Sequence, residues 1–225
     1  VKKILLLSVI CLSFLLPTTY GQSFFRIEAD VSMKTKPTDG KGQLIIGRVY
    51  YDRTYRKMVY DIRFPEKEVW VIKDSLAYTY QNGKLLRSDR VNPFIESTVF
   101  HKCLEGKLND FGLRDSYYKV SKVEKDGGLV ITTWLPPEGF IFKGSVLTSN
   151  KGNDLYGVVV LNERGAVLSR QLFKEYKVVS GLKIPADMIQ VLYFGTGEIY
   201  QVITLSDVKI NNLKNENFYN YPVDK

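Results

Sequence analysis

Apolar and polar residues alternate along most of this chain. That period of two constrains everything else, because only a strand sends successive side chains to opposite faces. In RIEADVSMK, Ile27, Ala29, Val31 and Met33 share one face, and Arg26, Glu28, Asp30, Ser32 and Lys34 the other. The pattern recurs in QLIIGRVYYDRT, in RKMVYDIRFP, where Met58, Tyr60, Ile62 and Phe64 share a face, and in EVWVIKD, LAYTYQ and KLLRSDR. It resumes in DSYYKVSKVEK, LVITTWL, FIFKGSVLTS, DLYGVVVLN, AVLSRQLFKEYKVV, LKIPADMIQVLYF and EIYQVITLSDVKIN. Turn signals separate these segments: TKPTDGKG, Asn82-Gly83, Asp126-Gly127-Gly128, Pro136-Pro137, Glu163-Arg164-Gly165, Ser180-Gly181 and Gly195-Thr196-Gly197. Strands joined by short turns make an antiparallel meander. No strand–helix alternation points to a parallel, doubly wound sheet. A meander of eleven or more strands has to curl, because strands twist, and a curled sheet has a concave inner face.

One stretch breaks the period. In NPFIESTVFHKCLEGKLNDFG, Ile95, Val99, Cys103, Leu104, Leu108 and Phe111 recur at three- and four-residue steps. Asn92 suits the N-cap, Pro93 the first helical position and Gly112 the stop. The spacing predicts one amphipathic helix from Pro93 to Phe111. Its apolar face, with Ile95, Val99, Leu104 and Leu108, is expected to lie as a lid across the mouth of the curled sheet rather than complete a dry core. The fold class is mainly β: one large curled antiparallel sheet, an unclosed barrel, with one amphipathic helix as lid.

The N-terminal stretch reads differently. Val1-Lys2-Lys3 is a short positive region, and Ile4 to Leu16 is almost wholly apolar. That run falls short of the roughly 20 residues a membrane span needs and fits a secretory signal peptide. Thr19 and Gly21 are small residues placed for cleavage before Gln22, which divides the chain into a leader, 1–21, and a single β domain, 22–225. Ile10 precedes Cys11 and the apolar run continues beyond it, so Cys11 reads as leader core rather than a lipidation site. The expectation is an exported, periplasmic protein. The part beyond the leader keeps one cysteine, Cys103, which forbids an internal disulfide and reads as a buried small hydrophobe. Basic residues still outnumber the 24 acidic ones once Lys2 and Lys3 are set aside. In an exported protein nucleic acid is not an expected partner. A basic surface suits anionic lipid headgroups or an acidic protein partner, or serves solubility alone.

The sequence offers little for catalysis. His101 is the only histidine, so histidine pairs and multi-histidine metal sites are excluded. Cys103 sits two residues from it, and helical positions two apart diverge. FGTGE lacks the lysine and the strand-to-helix context of a phosphate loop, and no G-x-S-x-G elbow occurs. Glu66 and Glu68 flank a strand start and read as solvated charges. The expectation is a non-enzyme without a cofactor.

From Gly42 to Tyr80 the order of features, GQLIIGRVYYDRTYRKMVYDIRFP followed by EKEVWVIKDSLAYTYQNG, resembles the LolA-like family, the periplasmic carriers of outer-membrane lipoproteins. The Asn92-Pro93-Phe94-Ile95 helix start and GLKIP with VKINNLKNENFYNYP resemble the same family's mid-chain helix and closing strands. The resemblance implies an unclosed barrel covered by helices, with an apolar cavity for acyl chains. Its apolar positions fall on Met58, Tyr60 and Ile62, and its aromatic positions on Tyr78 and Tyr80. The arginine that holds the lid falls on Arg53, with Arg48 or Arg56 as offsets. It further implies a monomeric carrier of lipoprotein acyl chains or lipid, with partners in the inner and outer membranes. Two features depart from the family: the turn Asp74-Ser75 replaces Asp-Gly, and the chain enters a strand near Phe24 where the family has an amphipathic helix. Two alternatives stand beside it. One is a sensor or scaffold of the same fold that binds a protein at an exposed sheet edge. The other is a filled sandwich in which Met58, Tyr60 and Ile62 are core.

Overall fold

Thirteen strands form a single antiparallel sheet in a computed structural model that describes residues 23–38, 40–90, 95–195 and 197–223. The expected leader, Cys11, Asn92 and Pro93 lie outside these residues. The strands are β1 (Arg26–Pro37), β2 (Gln43–Asp52), β3 (Lys57–Phe64), β4 (Glu68–Lys73), β5 (Leu76–Gln81), β6 (Lys84–Arg90), β7 (Lys119–Asp126), β8 (Leu129–Leu135), β9 (Val146–Lys151), β10 (Asp154–Leu161), β11 (Val167–Val179), β12 (Leu182–Phe194) and β13 (Gly197–Ile210). Helix α1 (Ile95–Glu105) separates β6 from β7, and a short α2 (Glu216–Tyr219) follows β13.

The sheet order is β6-β5-β4-β3-β2-β1-β13-β12-β11-β10-β9-β8-β7. The chain therefore starts in the middle, walks out to one edge, crosses through α1 to the other edge, and walks back until β13 pairs with β1. β6 and β7 are the edges and do not pair with each other, so the barrel stays unclosed. Every residue of both edge strands is exposed.

Period-two alternation sorts the side chains as the sequence dictates. Ile27, Ala29, Val31 and Met33 of β1 join Val49, Tyr51, Met58, Tyr60 and Ile62 in one buried cluster with Trp134, Phe173, Ile184, Met188, Ile203 and Leu205. This is the concave face. Hairpin chemistry sets the register. Asn82-Gly83 and Ser180-Gly181 have positive φ at both positions, the geometry that matches strand twist. Asp74-Ser75 does the same with φ of 51° and 63°, so the departure from Asp-Gly preserves the turn at the cost of placing a side chain in the left-handed region.

Two expectations are corrected. The helix ends at Glu105 rather than Phe111. Gly106, at φ 70°, donates to the Cys103 carbonyl at 2.9 Å, and Lys107 donates to the Lys102 carbonyl at 2.8 Å. That paired closure terminates a helix at its first suitable glycine, well before Gly112. Second, FIFK in FIFKGSVLTS is not strand: residues 136–145 are irregular and β9 begins at Val146. The convex face is itself partly covered. After β13 the chain folds back as a strap across β1–β5. Arg26 Nε donates to Asp52 at 2.7 Å and Arg26 also pairs with Glu216. Buried Glu28 accepts from Arg48 at 2.8 Å, Asn212 at 2.9 Å, Asn215 at 2.8 Å and Tyr219 at 3.3 Å. Burial pushes the Glu28 carboxyl up, but these hydrogen bonds outweigh it and hold it below the usual carboxylate range.

Candidate functional site

The strands run between two ends of the sheet, and the two ends differ. The turns after β2, β4, β7, β9 and β11 gather at the end where α1 sits. The turns after β1, β3, β5, β8, β10 and β12 gather at the opposite end.

At the first end α1 is seated in the concave face. Val99, Phe100, Cys103 and Leu104 are buried in the main core together with Met58 and Tyr60. The helix is therefore a plug filling its end of the concave face, and the expected lid over a partly filled space is corrected accordingly. Polar bonds fix it. Arg53, in the β2–β3 turn, donates from Nη1 to the Leu104 carbonyl at 2.9 Å, on the residue to which the resemblance assigned a lid-holding arginine. Tyr51 Oη lies 2.8 Å from His101 Nδ1, and His101 Nε2 lies 3.1 Å from Glu105. Burial lowers the His101 pKa, although Glu105 opposes the shift. The Cys103 thiol is pushed up to about 12 by burial, which removes its nucleophilic form at neutral pH.

At the opposite end the concave face is open. A groove of about 500 Å³ is lined by Gly42, Gln43, Leu44, Ile45, Ile62, Phe64, Pro65, Glu66, Glu68, Trp70 and Arg87. Its floor is apolar: Trp70 packs edge-on against Tyr60 with centroids 6.0 Å apart. Polar groups sit at the margin. Glu68 accepts from Trp70 Nε1 at 2.7 Å, Glu66 accepts from Gln81 at 3.1 Å, and Arg87 stands 3.6 Å from Asp89. The volume falls in the range of small-ligand sites, about 300–1,000 Å³.

The expected site residues divide among these places. Met58, Tyr60 and Ile62 share the concave face, but Met58 and Tyr60 are covered by core and only Ile62 reaches the groove. Val99 and Leu104 belong to the plug. Ile95 opens α1, and its side chain lies outside the described residues. Tyr78 and Tyr80 are on the wrong face for a cavity: they pack with Tyr50, Val59, Val71, Tyr219 and Tyr221 under the strap. Register is the reason. Thr79 pairs with Trp70 and Ala77 with Ile72, so Ala77 and Thr79 look inward and the tyrosines outward. Leu44, Ile45, Trp70, Glu68 and Arg87 were not anticipated. Phe64 was placed on the Met58–Tyr60–Ile62 face, and extending that face across the next hairpin leads to Trp70.

The sequence matches no family model and no curated protein. Solved structures do match the fold. A LolA superfamily protein from Nitrosomonas europaea is 14% identical over 88% of this chain and 91% of its own, with a TM-score of 0.57. A putative outer membrane lipoprotein-sorting protein domain from Vibrio parahaemolyticus is 14% identical over 86% of this chain and 89% of its own, TM-score 0.57. A DUF1329 family protein from Desulfovibrio piger is 11% identical over 89% and 91%, TM-score 0.60. The chain has the LolA-like fold.

Proposed function

We propose that this protein binds acyl chains in the open end of its concave face and carries lipids or lipoproteins through the periplasm towards the outer membrane. The groove carries the reading: an apolar floor formed by Ile45, Ile62, Phe64 and Trp70 with polar groups confined to its margin. Each methylene moved from water into such a floor gains about 0.8 kcal/mol without directional demands, which suits an alkyl chain. Arg87, Glu66 and Glu68 offer hydrogen bonds to a polar head. The plug supplies the means to lengthen the site: displacing α1 breaks the Arg53 bond to Leu104 and opens the face around Met58 and Tyr60. The likeness to structures described as LolA superfamily and lipoprotein-sorting proteins supports the same reading. In this role the protein works as a monomer between donor and acceptor complexes of the inner and outer membranes, after removal of its leader, and catalyses nothing.

Titration with a fluorescent fatty-acyl probe tests the reading. Saturable binding is expected, weakened by Trp70→Ala and by Ile62→Asn, and native mass spectrometry of protein from its own envelope should show acyl-bearing species. Absence of both probe binding and acyl adducts overturns it. One observation favours a second reading, an envelope sensor or scaffold: the wholly exposed edges β6 and β7 are templates for strand addition by a protein partner. A saturable protein partner without any acyl binding would select it.

A further inference from the structure

The connection between β8 and β9, residues 136–145, rises from the groove end of the sheet. It carries three consecutive apolar residues, Phe140, Ile141 and Phe142, with no strand to pair them. The middle one is 100% exposed. This is not a slack loop. Phe142 turns inward and packs on the main core, Phe140 meets the Tyr118 ring at 5.9 Å, and the Ser145 carbonyl accepts from Leu161 N–H at 2.9 Å. Gly144 sits so close to β10 that an added Cβ would lie 1.8 Å from the Leu161 carbonyl oxygen. Anchored on both sides, Ile141 is held out in water. An isolated exposed aliphatic residue is ordinary, but this one has exposed rings next to it along the fold: Phe140, 41% exposed, precedes it, and Tyr117, 78% exposed, precedes the Tyr118 ring that Phe140 meets.

The surroundings say what covers it. Lys119 follows Tyr118 and Lys143 follows Phe142 in the chain, both exposed, and neither is paired with a carboxylate among the described residues. Glu138 is the acidic residue of the loop. An exposed aliphatic apex joined along the chain to exposed rings and unpaired lysines suits a bilayer interface. The apex enters the acyl boundary, the rings take the headgroup level, and the lysines meet anionic phosphates.

We propose that this loop is a membrane-contact element, with Ile141 inserted in the bilayer interface and Lys119 and Lys143 on anionic headgroups. The contact presents the groove end of the sheet, where Phe64 is 48% and Phe194 56% exposed, towards the lipid. The inference goes beyond the binding of acyl chains, since a surface contact and a cargo site are separate properties.

Vesicle flotation of the purified chain tests it, using vesicles of phosphatidylcholine alone and of phosphatidylcholine with phosphatidylglycerol. The protein should float more strongly with the anionic mixture. Ile141→Asp should cut the bound fraction about tenfold, the scale of one aliphatic side chain transferred from water, while its melting midpoint stays unchanged. Lys119→Glu with Lys143→Glu should remove the preference for the anionic mixture. Failure of the wild type to float with either vesicle, or flotation of Ile141→Asp equal to wild type, overturns the proposal. So does crosslinking of the loop to an envelope protein without vesicle binding. Flotation that persists in a protein unable to bind the acyl probe would refute the cargo site and leave this surface standing.

Discussion

His101 shows how one residue of this fold can be tuned by what surrounds it. One ring nitrogen faces Tyr51 and the other Glu105, with Lys102, Arg53 and Arg56 contributing positive charge nearby. Burial is the largest influence and lowers its pKa, against the pull of Glu105. As the pH falls below about 6.5, the unfolded chain takes up the proton first and the folded chain resists. Stability therefore declines until the folded-state pKa is passed, and then levels off. Urea unfolding midpoints should fall as the pH drops through about 6.5, and His101→Gln should flatten that slope. An unchanged slope in the variant would place the effect elsewhere. The sequence placed His101 within the helix. It could not reveal Tyr51 as its partner, because that contact depends on how deeply α1 is seated.

Among the elements, the helix and the hairpins teach different lessons. The three- and four-residue spacing located α1 correctly, but two glycines competed to end it, and the earlier one met the hydrogen-bonding requirement first. Its depth also alters an energetic expectation. A loose lid would tolerate truncation, whereas Leu104 is 4% exposed in the main core. Leu104→Ala should therefore cost about 2–5 kcal/mol by denaturant melt, as in other packed cores. A loss well below that range would return α1 to the role of a mobile cover. The hairpins were legible because their turn residues dictate them, and Asp74-Ser75 is the imperfect one. Ser75→Gly, which relieves a left-handed side chain worth about 1 kcal/mol, should raise the melting midpoint by roughly 2–4 °C. A lower midpoint would mean that the serine hydroxyl compensates for the strain. The faces were less legible. Tyr78-Thr79-Tyr80 alternates identically whether the tyrosines look in or out, and only the pairing of Thr79 with Trp70 decides.

Seen whole, the molecule is covered on both faces at its centre and bare at its lips. β1 is paired on each side, by β2 and β13. Its concave side chains lie in the main core, and its convex Arg26 and Glu28 lie under the strap. The strap was read in the sequence only as part of the closing strands. No periodicity could assign it, because it is held by single contacts: Phe218 stacked on Tyr50 at 4.5 Å, Tyr221 against Tyr80 at 5.2 Å, and Tyr219 under the Arg26 guanidinium at 4.3 Å. The two faces share β3, where Val59 meets the strap and Ile62 the groove, yet their functions should separate. Tyr219→Ala leaves a cavity beneath the strap and strips cover from Arg26 and Glu28, so it should destabilise by about 3–5 kcal/mol, the cost of removing a buried ring. Tyr219→Phe deletes only the 3.3 Å bond to Glu28, which keeps three other donors, and should cost about 1 kcal/mol. Under native conditions both variants should bind the acyl probe as the wild type does, because Ile45, Ile62 and Trp70 face the other way. If Tyr219→Phe, nearly as stable as wild type, lost probe binding in proportion to Tyr219→Ala, then the strap and the groove would be coupled through β3. The strap would then govern the curvature on which the site depends.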